Sequence, residues 1–501
     1  MTEQNGDAKA LKTAKLLHNA HNWKHLTRWN GEGYYELRTE DTGEVPVRLF
    51  LTSTLLNEAE DILYRQIVNA TRFPGVKLVV ITPDTHYGYG VPVGCVLITD
   101  VEQGAVAMGP VGYDIGCGMM SARSNVPADA ATPDLKLKFN RAVMETVEMG
   151  AGGKSSRFSD LSKSEFNELV RGGAEYYVDQ YGASFDRSRA ERHRIPVDDD
   201  WDIPWGGKGR PERGLNQLGS LGGGNHFIEL QRAEETGTLF VQVHTGSRGF
   251  GHGLATNYFE LAREERPNEI RDIDLGYFTP NSIHYKDYLN AVAAGGNYAI
   301  LNRLIIFEQV SKAFRKVFGE ELELIYEISH NLVQHEFHPE LGEVWVHRKG
   351  ATRAFPAGHP SLAGTMWEET GHPVLIPGSN KDYSYILRPR AGAAKSGYSV
   401  NHGSGRRLSR GEATRTLSQR KIDDEYKEAG ILVNIDGHVP LDEAAPAYKP
   451  AQEVVRAVVE AGLAEIEYTL WPLASLKGID ERKGKRRDRD KNGKKKTSEH
   501  Y

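Results

Sequence analysis

The stretch Val111-Gly-Tyr-Asp-Ile-Gly-Cys-Gly-Met119 places one of the chain's two cysteines three residues after an aspartate and among glycines. Asp114 offers a hard carboxylate and Cys117 a soft thiolate on one short turn. Gly112, Gly116 and Gly118 remove the Cβ atoms that would keep backbone and ligands apart. The turn reads as a metal-ligand loop. The competing reading is a buried cysteine in a Gly-rich turn, the commoner state of a lone Cys. Histidines further along, each at the end of an apolar run or in a Gly-rich surround, favour the metal. The remaining chain reads as strands and helices that carry those histidines back to this loop.

Composition narrows the class. With 501 residues the chain can bury a large core, and no run approaches the eighteen apolar residues of a membrane span. The start, Met1-Thr-Glu-Gln-Asn-Gly-Asp-Ala, lacks the basic and apolar regions of a signal peptide, so a cytoplasmic protein is expected. Two cysteines, Cys95 and Cys117, make no disulfide framework, and a reducing compartment leaves Cys117 available as a ligand. The net charge of −6 is uneven, because residues after Lys477 carry ten Lys/Arg against five Asp/Glu. The rest of the chain is acidic overall, so a polyanion must be held by a local patch.

Ahead of the Cys117 loop, apolar residues at 55, 56, 59, 62, 63 and 67 predict one amphipathic helix over residues 55–72. Val76 to Ile81 predicts a short buried strand that empties into the loop Pro83-Asp-Thr-His-Tyr-Gly-Tyr-Gly90. There Asp84 and His86 read equally as groups supporting a site or as a turn aspartate and a surface histidine. Val91 to Ile98 is a further apolar segment. Leu135 to Met149 reads as helix, and the charged segment from Arg187 to Arg213 as a long surface loop. Gly153-Lys-Ser155 resembles the end of a phosphate-binding P-loop, but Glu148 stands where its first glycine belongs, which excludes a Walker ATPase.

Downstream, Gly219-Ser-Leu-Gly-Gly-Gly-Asn-His-Phe-Ile-Glu229 exposes backbone N–H groups beside Asn225, His226 and Glu229. The strand Thr238 to Val243 delivers His244 into a Gly-rich turn, and the run from Leu324 delivers His330 in the same way. Between them, residues 286–318 read as a long helix interrupted at Gly295-Gly296. Asp114, Cys117, His226, His244 and His330 are more ligands than one ion needs. Two adjacent divalent ions sharing the thiolate is the simplest reading. Basic, Gly-rich segments follow at Val346-His-Arg-Lys-Gly-Ala-Thr-Arg353, Ile376-Pro-Gly-Ser-Asn380 and Val400-Asn-His-Gly-Ser-Gly-Arg-Arg-Leu-Ser-Arg410, and their donors suit phosphates. Within the last, His402 reads as a nucleophile toward a nucleoside triphosphate or as a surface turn histidine. Residues 453–461 read as a late helix, and residues 464–470 as a strand that returns Lys477 to the core.

Taken together, these motifs resemble the RtcB family of RNA ligases over residues from about 81 to 477. They stand as Asp114-Ile-Gly-Cys117-Gly-Met, Gly224-Asn-His-Phe-Ile-Glu229, His244-Thr-Gly-Ser-Arg-Gly, His330-Asn331, His347-Arg-Lys-Gly-Ala, Pro377-Gly-Ser379 and His402-Gly-Ser-Gly-Arg. The resemblance implies one large α+β domain over residues 1–477, with a mixed sheet core and a deep basic cleft. Residues 478–501 would form a basic tail, expected to be disordered because it has almost no apolar residues to bury.

The implied activity is GTP- and Mn²⁺-dependent joining of RNA 3′-phosphate or 2′,3′-cyclic phosphate ends to 5′-hydroxyl ends, in tRNA splicing or RNA repair. By resemblance, Asp114, Cys117 and His226 would hold one manganese, Cys117, His244 and His330 the other, and His402 would take GMP. Guanine nucleotide contacts would fall on Asn225, His226, Phe227, Glu229, His330, Asn331, Pro377, Gly378, Ser379, Asn380, Ser384, Gly403, Ser404, Gly405, Arg406 and Lys477.

The chain departs from the usual family pattern at Thr245, at Ser404, in the segment Asn380 to Ser384 and in its tail. No K-x-D-G lysine nucleophile is present, which agrees with a histidine in that role. Two rival classes are a metal-dependent RNA phosphodiesterase and an RNA-binding or translation-associated protein with a relict metal site.

Overall fold

The computed structural model describes residues 19–478 apart from 156, 183–184 and 191–193, so the expected tail lies outside the described residues beyond Gly478. Two mixed sheets and a set of helices make the fold α+β, as expected. The first sheet runs Thr27–Trp29, Tyr35–Leu37, Val47–Leu49, Val76–His86, Val93–Asp100, Gly342–Lys349, Asn331–His338. The second runs Glu323–Ser329, Gly118–Pro127, Thr238–Thr245, Phe227–Ala233, Ala464–Lys477, Ser384–Pro389, Val374–Ile376, with Leu432–Val433 laid parallel on Ala464–Lys477.

Register in the second sheet assembles the site. Gly118 pairs with both Thr245 and Ser329, and Phe227 pairs with His244 on one side and Lys477 on the other. Cys117, His226, His244, His330 and Lys477 therefore meet at one end of five adjoining strands. The first sheet adds Asp84 from Val76–His86 and Lys349 from the end of Gly342–Lys349, and His402 follows the short strand Ser399–Asn401.

Behind this end lies the helix Tyr285–Phe318, buried on nearly every face along its middle. The expected break at Gly295-Gly296 does not occur, because these glycines serve packing. A Cβ on Gly295 would meet Ile115 Cγ2 at 3.0 Å, and one on Gly116 would meet Gly296 Cα at 2.9 Å. The loop carrying Asp114 and Cys117 is thus seated against bare helix backbone.

Other boundaries also shift. The helix expected over 55–72 is two, Ser53–Glu58 and Ile62–Ala70, because Ala59 turns extended at ψ 138. Its apolar positions still serve one core, which takes Leu55, Leu56, Leu63 and Ile67. The helix expected over 135–149 is Pro133–Met144, capped by the Thr132 hydroxyl. The strand expected over 76–81 continues to His86, so Asp84 sits on a strand rather than in a loop. The segment around 187–213 is irregular but not purely superficial, since Val197, Trp201 and Ile203 are buried in the main core. Ala464–Lys477 is twice the expected strand length and carries Lys477 itself.

Candidate metal and nucleotide site

Two groups of three ligand atoms form where the strands converge. Cys117, His244 and His330 make one and Asp114, Cys117 and His226 the other, with the atoms of each group within 4.8 Å of one another. Cys117 Sγ lies 3.3 Å from His244 Nε2 and 3.6 Å from His226 Nε2. His226 Nε2 is 3.1 Å from Asp114 Oδ2, and His244 Nε2 is 3.4 Å from His330 Nε2.

Backbone carbonyls set the imidazoles. His226 Nδ1 lies 3.0 Å from Leu221 O, which turns Nε2 toward Asp114, and His244 Nδ1 donates to Asn225 O at 3.0 Å, which leaves its Nε2 lone pair facing the cluster. Asp114 Oδ1 accepts from Ser247 N at 3.0 Å, and Asn331 Nδ2 donates to Asp114 O at 3.1 Å. Burial lowers His244 and His330 well below the ordinary histidine value, so both are neutral ligands. Burial alone would raise Asp114, but its hydrogen bond with His226 and attraction to it hold the carboxyl well below the usual range. Burial and then the Asp114 charge raise the Cys117 thiol, so a bound cation displaces a proton there. Buried neutral imidazoles, an ionised carboxylate and a shared sulfur suit a divalent transition metal.

His402 stands beside this cluster, its ring centroid 4.8 Å from that of His330. Its Nδ1 donates to Asp84 Oδ2 at 2.6 Å, and its backbone N–H reaches the same oxygen at 3.1 Å. Asp84 Oδ1 accepts from the Thr82 hydroxyl at 2.5 Å. Burial opposes the Asp84 charge, but attraction to His402 and hydrogen bonds from His402 and Thr82 keep the carboxyl below its ordinary value. The carboxylate fixes the tautomer and aims Nε2 away from itself. Of the two sequence readings of Asp84, the supporting one holds.

A cavity of about 370 Å³ opens over both features, within the range of small-ligand sites. Of the residues expected to contact nucleotide, Asn225, Phe227, His330, Asn331, Pro377, Gly378 and Ser379 line it, as do His402 to Arg406 and Lys477. His226 is turned into the ligand cluster. Three others are outside its lining: Glu229 accepts from Gln231 Nε2, Asn380 Oδ1 accepts from the Tyr426 hydroxyl, and Ser384 Oγ accepts from Gly378 N. Burial pushes the Glu229 carboxyl up to about 7 despite the nearby Lys477 charge.

Sequence reading missed a second charged knot on this cavity. Glu443 accepts from Tyr448 Oη at 2.5 Å and pairs with Arg410 at 2.6 Å, Arg406 at 3.3 Å and Lys477 at 3.4 Å. Lys477 Nζ also lies 5.3 Å from the centre of the Phe227 ring. Glu443 and Tyr448 fall in the irregular run Asp442-Glu-Ala-Ala-Pro-Ala-Tyr448, where no periodicity or motif marks them. Conversely, part of the basic stretch expected to meet phosphates is committed elsewhere. Arg348 forks onto Glu336 at 2.6 and 2.9 Å, Arg353 lies over the Phe355 ring, and His347 bridges Leu97 O and Ala107 N. Of that motif Lys349 and Gly350 reach the cavity wall, and Lys349 donates to Tyr89 O and Val91 O.

Comparison with known proteins gives a consistent assignment. The family model described as tRNA-splicing ligase RtcB matches residues 66–478. A tRNA-splicing ligase RtcB of Pyrobaculum aerophilum is 36% identical over 468 residues, covering 87% of this chain and 95% of that protein. One from Nanoarchaeum equitans is 35% identical over 473 residues, covering 89% and 98%. The RNA-splicing ligase RtcB of Mycobacterium tuberculosis is 35% identical over 438 residues, covering 82% of this chain and all of its own length. No helix among the described residues is long and apolar enough to cross a membrane.

Proposed function

The chain belongs to the RtcB family of tRNA-splicing ligases, and from that premise we propose that it joins RNA 3′-phosphate or 2′,3′-cyclic phosphate ends to 5′-hydroxyl ends, using GTP and manganese. The observation that carries this reading is His402, held by Asp84 at 2.6 Å and set beside two ligand groups that share Cys117. Asp114, Cys117 and His226 would hold one manganese ion and Cys117, His244 and His330 a second. When bound, the metal supplies Lewis acidity toward phosphoryl oxygens.

His402 Nε2 attacks the α-phosphorus of GTP, a P–N bond forms, and pyrophosphate leaves with the α–β bridging oxygen. Asp84 keeps the Nδ1 proton in place and stabilises the positive charge that the imidazole gains. An oxygen of the RNA 3′-phosphate then displaces His402 from phosphorus and leaves the RNA capped with GMP. The 5′-hydroxyl attacks the 3′-phosphorus, loses its proton and expels GMP, which closes the phosphodiester. A cyclic phosphate enters after water has opened it to the 3′-monophosphate. Arg406, Arg410 and Lys477 take up negative charge on the nucleotide side, and Phe227 and Tyr448 supply faces for a flat base.

The test is transfer of labelled GMP from GTP to the purified protein with manganese, followed by peptide mapping. The adduct is expected on His402. His402→Ala should bind Mn²⁺ and GTP, form no adduct and seal no 3′-phosphate end, yet retain some sealing of RNA that already carries the 3′-GMP cap. A label mapped to another residue overturns the nucleophile. Opening of cyclic phosphate without adduct or sealing supports the phosphodiesterase instead.

A further inference from the structure

One wall of the cavity is left unused by the nucleotide chemistry, and it is aromatic. Tyr113 stacks on Phe259 at 4.7 Å and on His252 at 5.3 Å between ring centroids, and its hydroxyl donates to Asp274 Oδ1 at 2.8 Å. Tyr89 meets the Tyr113 ring edge-on at 6.1 Å and also lines the cavity. Tyr89 is nevertheless 66% exposed.

This exposure does not come from a loose backbone. Gln66 grips Gly88 through both N–H and C=O at 3.0 and 2.5 Å, and Asn69 Nδ2 donates to Gly90 O at 2.8 Å. Lys349 Nζ donates to Tyr89 O at 2.6 Å and to Val91 O at 3.1 Å. A segment clamped on both sides that holds a large ring in water at the mouth of a reactive cavity is suited to a flat partner with an apolar face. A nucleobase is such a partner, and stacking on Tyr accepts any of the four bases.

We propose that Tyr89 is the stacking platform for the terminal base of the RNA strand that supplies the 5′-hydroxyl. This inference rests on the ligase reading above. In-line displacement requires the attacking hydroxyl to enter opposite the departing GMP. GMP departs toward the residues grouped around the His402 turn and Lys477. The wall continuous with the Asp114 loop through Tyr113 is the one that remains for the incoming strand. Stacking there would hold the terminal nucleotide, and its hydroxyl, at a fixed depth beside the ligand cluster.

The experiment seals two RNA strands in trans with GTP and Mn²⁺, varying the 5′-hydroxyl strand with and without a base on its terminal nucleotide. Tyr89→Ala should raise KM for the normal strand by about tenfold, the loss expected of one base–aromatic stack. It should also erase the discrimination against the abasic strand, with kcat changed far less. Tyr89→Phe should behave as the wild type. A 5′-terminal 2-aminopurine should be quenched on binding to the wild type and to Tyr89→Phe, but not to Tyr89→Ala. GMP transfer to the protein, read alone, reports whether fold and metal centre survive the substitution. An unchanged KM in Tyr89→Ala, or an effect confined to strands abasic at the 3′-phosphate end, overturns the inference while the ligase reading stands. A wild type that forms no adduct and seals nothing overturns that reading, and this inference with it.

Discussion

Arg303, on the helix Tyr285–Phe318, has no exposed surface, and its guanidinium reaches all three segments that carry the Cys117, His244 and His330 ligands. It donates to Gly116 O at 2.7 Å, Thr245 O at 2.9 Å and Ser329 Oγ at 2.8 Å, each one residue from one of those ligands, and it pairs with the buried Glu327. Arg303→Met keeps much of the volume and removes every donor. Breaking a buried pair from one side costs about 3–5 kcal/mol. That is a large part of the ~5–15 kcal/mol that holds a typical domain together. Adding Glu327→Leu removes the other member of the pair, and apolar replacement of both partners is often close to neutral. Stability should then recover, but metal affinity should not, since the three ligand segments have lost their common tie. The expected loss is about 10–100-fold, the usual effect of removing a group that orients metal ligands. Urea unfolding of the metal-free protein reads the first quantity, and Co²⁺ titration through the thiolate-to-cobalt absorption band reads the second. A double variant that unfolds like the wild type and also binds Co²⁺ like the wild type refutes the reasoning.

Cys117→Ala removes the atom common to both ligand groups and should stay folded while losing ligation; a variant that ligates at the wild-type rate disproves the metal assignment. Because the wild-type thiol is raised by burial, Mn²⁺ binding followed in a pH-stat should release a proton that the variant does not. Asp84→Asn keeps the shape beside His402 but not the charge, so GMP transfer should fall about a hundredfold or more while GTP binding persists. Equal transfer rates would remove Asp84 from the mechanism. Folded Glu229 holds a proton up to about pH 7 that the unfolded chain loses near 4.5, so this carboxyl makes stability fall as pH rises through that window. The term is about 3 kcal/mol by linkage. Glu229→Gln should abolish that part of the slope in urea unfolding between pH 4.5 and 7.5, and an unaltered slope would contradict the buried-carboxyl account.

The grouping of the candidate ligands was legible because their chemistry is coupled to strand ends. Cys117, His226, His244 and His330 each flank or finish an apolar run, and pairing such runs side by side brings their ends together. What local pattern misjudged was set by tertiary packing. Gly295-Gly296 looked like a helix break, yet it is where Ile115 and Gly116 approach the helix. Asp84 looked no different from a turn aspartate until His402, 318 residues away, came within hydrogen-bond distance. Arg348 looked like a phosphate ligand, but Glu336 across the strand pair claims it. Glu443 and Tyr448 lie in an irregular segment whose role depends wholly on where Lys477 and Arg410 arrive.

The strand Ala464–Lys477 lies in the interior of its sheet, between Phe227–Ala233 and Ser384–Pro389. On the ribosome that order matters. At about 5–20 residues per second, roughly 12–50 s separate the emergence of Phe227–Ala233 from that of its last partner. Once Ser384–Pro389 has emerged, and until Ala464–Lys477 arrives, the sheet stands as two halves, each with an open inner edge that invites mispairing. The closing strand also delivers Lys477, so the cavity beside His402 is finished in the step that joins the halves. A nascent chain that stops before Ala464 therefore carries the cysteine and histidine cluster but an open cavity, which closes only when its last strand is inserted.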